Sequence, residues 1–291
     1  MEIKGAITAI VTPFKGGLFD EKAYEGLIDW QIREGIHGLV PCGTTGEAST
    51  LDYEEHYRVI EVAIKAVNKR VPVIAGTGSN STDETIEITK KAKELGADAA
   101  LIVTPYYNKP TQEGLYRHYK TVAEAVDIPI VLYNVPGRTS VNMLPSTVAR
   151  LAEVKNIVAI KEASGDMKQV SEIIRLCGDR LSVISGDDFT TLTLLALGGK
   201  GVISVSSNVA PGLVAEMLNA WERDDIKKAR EIHYRLEPLN AAMFIETNPI
   251  PAKTALAMMG KISEEIRMPL CEISKANRDK LEGVLKAMGI I

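Results

Sequence analysis

Lys161 is the residue in this sequence whose surroundings point most directly to covalent chemistry. It ends the apolar run 157–161 and is the one lysine that falls within a predicted buried strand. Strand alternation puts Lys161 on the same face as Ala159, whose small side chain leaves room for a long amine. Burial favours the uncharged amine, which can attack a carbonyl carbon and form a Schiff base. A rim lysine paired with Glu162 fits the spacing equally well, so both interpretations stay open.

Three further sites place polar groups near this lysine in the predicted sheet. Tyr133 has the matching position on the preceding strand, about 4.8 Å away, so its hydroxyl is a candidate proton shuttle. The segment 43–46, Gly-Thr-Thr-Gly, presents hydroxyls and backbone N–H groups suited to a small carboxylate. Arg138 follows a Pro-Gly turn and can make a bidentate contact to a carboxylate. Each of these sites also has a non-catalytic interpretation: Tyr133 as a structural tyrosine, the segment 43–46 as a tight turn, and Arg138 as a solvated arginine.

These candidates stand at the ends of short apolar runs. Eight such runs, rich in Val and Ile, alternate with segments whose apolar residues repeat at the helical period. Several runs are apolar on both faces, as parallel strands covered by helices should be. The predicted strands are residues 6–11, 38–41, 71–75, 99–103, 128–133, 157–161, 181–185 and 201–205.

The predicted fold class is α/β, a (β/α)8 TIM barrel with a small C-terminal helical appendage. Parallel strands return only through right-handed crossovers, and eight βα units can close without leaving a sheet edge. An open doubly wound sheet is the alternative, but it would usually show a glycine fingerprint where residues 12–14 are Thr-Pro-Phe. From about Gly212 the pattern is only helical. We therefore predict a catalytic barrel over residues 1–222 and a helical region over 223–291.

Capping residues mark the predicted helices. Asp20 and Asp52 precede two of them, and Ser81 with Glu84 forms a predicted capping box at the start of a third. Gly96 ends that third helix.

The composition is that of an ordinary globular protein. Of 291 residues, 45% are hydrophobic and 25% are charged, which is enough for a sizeable core. The formal net charge of −4 does not favour nucleic-acid binding, and the run 6–11 is too short to span a membrane. Three separated cysteines indicate no disulfide framework, and four scattered histidines indicate no metal site. We expect a cytoplasmic protein without a cofactor.

Three motifs in order resemble one enzyme family. They are Gly-Thr-Thr-Gly-Glu at 43–47, Tyr-Asn-Val-Pro-Gly-Arg at 133–138 and Ile-Lys-Glu at 160–162, with Pro-Tyr-Tyr-Asn-Lys-Pro at 105–110 between them. Over essentially its whole length the chain resembles the dihydrodipicolinate synthase family of pyruvate-dependent class I aldolases. The resemblance implies the barrel rather than the open sheet.

The resemblance also implies a reaction of lysine and diaminopimelate biosynthesis. Lys161 would form an imine with pyruvate, and the derived enamine would attack the aldehyde of aspartate 4-semialdehyde. A proton relay would join Thr44, Tyr133 and Tyr107, with Tyr107 supplied by a neighbouring subunit. The implied substrate-binding residues are Thr45 for the pyruvate carboxylate, Arg138 for the semialdehyde carboxylate, and Gly186 and Ile203 through backbone groups.

Members of this family are commonly homotetramers, and many are inhibited by L-lysine. The residues that match the lysine site are Ser49, His56, Asn80, Glu84 and Tyr106. Ala48 and Tyr53 differ from the residues that lysine-sensitive members often have, so inhibition of this chain stays open.

Two other functions remain as alternatives. One is another pyruvate-dependent aldolase, such as N-acetylneuraminate lyase or a keto-deoxy sugar acid aldolase, which does not usually have an arginine at position 138. The other is a barrel that only binds an amino acid or keto acid, against which the intact Lys161 and Tyr133 argue.

Overall fold

The computed structural model describes residues 2–291 and contains the eight parallel strands that the sequence predicts. Observed and predicted strand ends differ by at most three residues. The unpredicted addition is a short antiparallel hairpin after the first strand. The strands are β1 (Gly5–Ala9), β2 (Phe14–Lys15), β3 (Leu18–Phe19), β4 (Gly38–Val40), β5 (Ile74–Gly76), β6 (Ala99–Val103), β7 (Ile130–Asn134), β8 (Ile157–Glu162), β9 (Ser182–Ser185) and β10 (Gly201–Ser204).

The parallel strands form one sheet with the neighbour order of a (β/α)8 barrel. Hydrogen-bonded neighbours follow the order β4-β1-β10-β9-β8-β7-β6-β5. Leu39 in β4 also forms a parallel bridge to Val73, the residue before β5, and its N–H donates to the Pro72 carbonyl oxygen at 3.0 Å. These contacts join the two ends of the order, so the predicted fold class is confirmed. A barrel has no long unpaired edge that could pair with another chain.

Helices follow the sheet strands in turn, as a parallel sheet requires. Four helices occupy the chain from Pro211 onward, where the sequence shows only helical periodicity. The helices are α1 (Glu21–Arg33), α2 (Tyr53–Val67), α3 (Thr82–Leu95), α4 (Gln112–Ala125), α5 (Pro136–Thr139), α6 (Pro145–Leu151), α7 (Met167–Cys177), α8 (Thr191–Ala196), α9 (Pro211–Glu222), α10 (Ile226–Met243), α11 (Ile250–Met258) and α12 (Lys275–Ala287).

The predicted N-caps are present, with one difference. Asp20 and Asp52 each accept a hydrogen bond from the backbone N–H three residues later, at 3.0 and 2.8 Å. Ser81 Oγ accepts from the Glu84 N–H at 3.4 Å, but the Glu84 carboxylate accepts from the Ser79 hydroxyl at 2.6 Å. The reciprocal half of the capping box is replaced because Ser79 Oγ itself accepts from the Ser81 N–H.

Two units make up the chain. One comprises the residues up to Gly5 together with Ile74–Ile203. Its core lies between strands β6 to β9 and helices α4, α6 and α7, with fully buried residues such as Ile102, Leu132 and Ile160. The buried Tyr119 hydroxyl donates to the Ile102 carbonyl oxygen at 3.1 Å, which satisfies its one polar atom inside this core.

The other unit comprises Ala6–Val73 and Ser204–Ile291. A buried amide network connects its two segments: Gln31 Nε2 donates to the Ser207 carbonyl oxygen at 2.8 Å, and Asn208 Nδ2 donates to the Ala9 carbonyl oxygen at 2.8 Å. The predicted boundary between residues 222 and 223 stays a prediction. Throughout residues 2–291, no helix has both the length and the apolarity needed to cross a membrane.

Candidate active site

Lys161 lies on β8 in register with Tyr133 on β7 and Ile184 on β9. Its side chain is only 5% exposed, and its Nζ lies 4.2 Å from the centroid of the Tyr133 ring. The register follows from the equal spacing of parallel strands, which brings residues at matching positions side by side. The structure therefore brings together the amine and the tyrosine that the sequence singled out.

Gly186, which follows β9, leaves the space that the lysine side chain occupies. A Cβ added at this position would lie 2.9 Å from Lys161 Cε and 2.6 Å from Ala163 Cβ. The Gly186 N–H donates to the Glu162 carbonyl oxygen at 2.8 Å, which continues the strand pairing to this point. Only glycine fits here without moving the lysine.

Glu162 does not pair with Lys161, because adjacent residues of a strand face opposite ways. Its buried carboxylate accepts from Asn134 Nδ2 at 3.0 Å, from Gln169 Nε2 at 3.0 Å and from the Ser164 N–H at 2.7 Å. The interpretation of Lys161 as a rim lysine held by Glu162 is therefore wrong. Asn134 was missed as a partner, although its position after Tyr133 already places it on the face of Glu162.

In the other unit, the segment 43–47 forms a tight turn after β4. The Gly46 N–H donates to the Gly43 carbonyl oxygen at 3.0 Å, and Thr12 Oγ1 donates to the Gly46 carbonyl oxygen at 2.7 Å. A Cβ on Gly46 would meet the Cys42 backbone nitrogen at 3.1 Å. Glu47, at the end of the turn, has a left-handed φ of 55°, which is costly for a residue with a side chain.

The two threonines of this turn differ in exposure. Thr44 is half-buried, whereas Thr45 is 2% exposed and accepts a 3.0 Å hydrogen bond from Asn248 Nδ2. Hydroxyls held close to a turn of this kind can donate to an anionic oxygen.

Glu47 anchors the turn through a buried ion pair. Its Oε1 lies 2.6 Å from Lys253 Nζ, and its Oε2 accepts from the Arg267 N–H at 3.1 Å. Burial lowers the pKa of Lys253, while the neighbouring Glu47 carboxylate raises it. The Lys253 ammonium also lies 4.3 Å from the centroid of the Phe14 ring. Lys253 is not among the predicted site residues, yet a lone lysine in the apolar helix α11 is a visible signal.

The remaining predicted site residues are placed as follows. Arg138 is exposed on the short helix α5, and Ile203 is fully buried in β10. Tyr107 is 90% exposed with a left-handed φ of 69°, so its ring projects from the loop that follows β6.

Beside Gly186, burial raises the pKa of Asp187, and the Phe189 N–H bonded to its carboxylate opposes that rise.

The residues predicted to bind lysine lie on three separate stretches of the chain: before and in α2, at the start of α3, and after β6. Ser49 is exposed and His56 is buried at the start of α2. Asn80 and Glu84 are at the N-terminal end of α3, and Tyr106 is 40% exposed. Their role stays a prediction. Among the described residues, no group of three or more His, Cys, Asp or Glu side chains could hold a metal ion.

A sequence profile of the dihydrodipicolinate synthetase family matches residues 2–288. The chain belongs to this family. It is 73% identical over 288 residues to the 4-hydroxy-tetrahydrodipicolinate synthase of Thermodesulfovibrio yellowstonii, with 99% of each protein covered. Family membership agrees with the buried lysine on β8 and with the turn after β4.

Two solved structures of the family share the fold over their full length. The chloride-inhibited dihydrodipicolinate synthase from Acinetobacter baumannii, complexed with pyruvate, has a TM-score of 0.97 at 51% identity, covering 99% of this chain and 100% of that one. The synthase from Cyanidioschyzon merolae with lysine bound has a TM-score of 0.97 at 42% identity, covering 100% of both.

Proposed function

We propose that the chain is a 4-hydroxy-tetrahydrodipicolinate synthase, which condenses pyruvate with aspartate 4-semialdehyde in lysine biosynthesis. The observation that carries this proposal is the buried Lys161 amine, which lies against the Tyr133 ring in space left by Gly186. The family's pyruvate complex from A. baumannii supports pyruvate as the first substrate.

The reaction follows from the chemistry of a buried primary amine. The uncharged Lys161 nitrogen adds to the keto carbon of pyruvate, and loss of water gives the imine. Loss of a proton from the methyl carbon gives the enamine, whose carbon bonds to the aldehyde carbon of the semialdehyde. The amino group of the semialdehyde then attacks the imine carbon, closes the ring and releases the lysine amine. No cofactor is needed, because the protonated imine formed by Lys161 accepts the electron pair of the broken C–H bond.

The proton transfers are assigned to a relay of Thr44, Tyr133 and Tyr107. Of the three, Tyr133 lies against the amine, with 4.2 Å from its ring centroid to Lys161 Nζ. Tyr107 is 90% exposed and held in a left-handed conformation, as expected of an aromatic residue that completes a site in a neighbouring subunit of a homotetramer.

Mixing two inactive variants tests the role of Tyr107 in a neighbouring subunit. Refolded mixtures of Lys161→Ala and Tyr107→Phe chains should recover activity. In a hybrid, the Lys161→Ala subunit supplies an intact Tyr107 to the site of a Tyr107→Phe neighbour, which retains Lys161. Mixtures that stay inactive, although size-exclusion chromatography shows assembled hybrids, would contradict it.

Substrate recognition is assigned to the residues that can bind carboxylates or line the pocket. Thr45 would bind the pyruvate carboxylate, Arg138 would bind the semialdehyde carboxylate, and Gly186 and Ile203 would contribute backbone groups. An exposed guanidinium on α5 suits a substrate that arrives after pyruvate.

Reductive trapping tests the central step. Borohydride treatment in the presence of pyruvate should add one reduced pyruvyl group, and peptide mass spectrometry should locate it on Lys161. A Lys161→Ala control should not be labelled. Turnover with aspartate 4-semialdehyde, compared with N-acetylmannosamine, then separates this function from that of a sugar-acid lyase. Turnover of the sugar alone would overturn the proposal.

Inhibition by L-lysine is proposed at Ser49, His56, Asn80, Glu84 and Tyr106. The lysine complex of the C. merolae relative supports lysine as a ligand. A titration of the initial rate should show inhibition that weakens in a Glu84→Ala variant, and a rate that stays constant up to millimolar lysine would reject it.

A further inference from the structure

The segment before α11 makes a direct side-chain contact with the turn after β4. Asn248 Nδ2 donates to Thr45 Oγ1 at 3.0 Å, although the two residues are 203 positions apart in the chain. Both side chains are buried, with exposures of 5% for Asn248 and 2% for Thr45. The contact therefore fixes one particular hydroxyl in a place that water hardly reaches.

A threonine hydroxyl carries one donor hydrogen and two acceptor lone pairs, and its hydrogen rotates freely unless a partner selects a direction. When Thr45 Oγ1 accepts from the Asn248 amide, that side of the oxygen is occupied and the hydrogen turns elsewhere. A carboxylate can only accept hydrogen bonds. The amide thus selects the hydroxyl orientation that an anionic ligand requires.

We propose that Asn248 is a positioning residue that holds the Thr45 hydroxyl as a donor to the carboxylate of the keto-acid substrate. The inference rests on the proposed function, in which Thr45 binds that carboxylate. It extends the function by assigning carboxylate selectivity to a residue from the C-terminal part of the chain that need not touch the substrate.

The same part of the chain also holds the backbone of the turn in place. Cys42 and Glu47, on either side of the turn, have left-handed φ values of 53° and 55°, which persist only when surrounding contacts enforce them. The buried Glu47–Lys253 pair supplies such a contact at 2.6 Å. Lys253 therefore fixes the turn, while Asn248 orients the hydroxyl that the turn presents.

The test compares pyruvate with pyruvamide, a neutral analogue that can form the same imine but has no carboxylate. Borohydride trapping at increasing ligand concentration gives the half-saturating concentration of each. In Asn248→Ala, we expect the value for pyruvate to rise about tenfold, as for one hydrogen bond to a charged group, with little change for pyruvamide. Steady-state kinetics should show a raised KM for pyruvate with kcat largely kept.

Two further variants keep the test independent of folding defects. Asn248→Asp has nearly the same shape but accepts the Thr45 hydrogen and adds a negative charge, so it should weaken pyruvate binding more than Asn248→Ala. Asn277→Ala is the matched control, because its amide donates to Glu246 at 2.8 Å, within the C-terminal helical region. The control should leave both ligands unaffected.

A double-mutant cycle shows whether Asn248 acts through Thr45. Once Thr45→Val has removed the hydroxyl, Asn248→Ala should cause no further loss of pyruvate binding. Additive losses would overturn the inference, as would equal losses for pyruvate and pyruvamide. If the wild-type protein itself traps no pyruvate, the proposed function and this inference both fail. If the wild-type protein traps pyruvate but the variants give one of the overturning results, only this inference fails.

Discussion

Replacing Gly186 by alanine tests whether imine formation depends on the space around Lys161. The new Cβ would lie 2.9 Å from Lys161 Cε and 2.6 Å from Ala163 Cβ, whereas carbon atoms in contact are separated by about 3.5–4.0 Å. Relief of the clash requires a shift of about 1 Å in the amine-bearing chain. A shift of this size costs on the order of 100-fold in rate when it misplaces a reacting group. Overpacking should also lower the free energy of unfolding by about 1–3 kcal/mol.

The assay is the rate of borohydride-trapped pyruvate adduct at saturating pyruvate, with urea unfolding measured in parallel. Gly283→Ala is the control, because this glycine lies in α12 and an added Cβ meets no atom within 4 Å. The control should trap pyruvate at the wild-type rate and gain roughly 0.5–1 kcal/mol of stability from helix propensity. Wild-type trapping by a folded Gly186→Ala variant would refute the argument that this glycine makes room for the amine.

Three other perturbations follow from buried or charged groups. Lys253→Met leaves Glu47 buried without its cation, so urea unfolding should show a free energy of unfolding lower by about 3–5 kcal/mol. A Glu47→Gln, Lys253→Met double variant should recover most of this loss. No recovery would contradict the ion-pair argument. Burial lowers the pKa of His118 to about 4. Between roughly pH 6.5 and 4 this histidine is protonated in the unfolded chain but not in the folded one. The free energy of unfolding should therefore fall by about 3 kcal/mol as the pH is lowered through this range. His118→Gln should flatten that fall, and parallel pH profiles of the two proteins would count against it. Arg138→Leu should raise KM for aspartate 4-semialdehyde roughly tenfold or more and leave pyruvate trapping unchanged. An equal effect on pyruvate trapping would contradict the assignment of Arg138 to the semialdehyde carboxylate.

Much of the fold was predictable because local patterns and the tertiary structure agree. The eight strands are apolar runs in the sequence, and caps such as Asp20 and Asp52 occur where the periodicity begins. The hairpin of β2 and β3 was not predicted, because strands of two residues are too short to show a period. The predicted and observed strand ends differ by a few residues because a hydrophobic period does not mark the exact residue at which hydrogen bonding stops.

The lysine site was predictable only in part. Alternation along β8 gave Lys161 a face and Glu162 the opposite one, but it could not tell which of the two side chains lies against Tyr133. The structure resolved this by placing Tyr133 beside Lys161 and by engaging Glu162 with Asn134 and Gln169. The Gln169 amide, which lies on a helix, has no such positional signal, so its pairing with Glu162 appears only in three dimensions.

Residue types and their order along the chain determined the strand count and the barrel topology and singled out Lys161 as a candidate amine, because hydrophobic period and motif spacing are properties of the chain itself. The contacts of Thr45 with Asn248 and of Glu47 with Lys253 were decided by tertiary structure alone. Each joins residues about 200 positions apart, and no local pattern selects one distant partner among many. Such partners become identifiable only when folding has buried their polar groups and left them to satisfy one another.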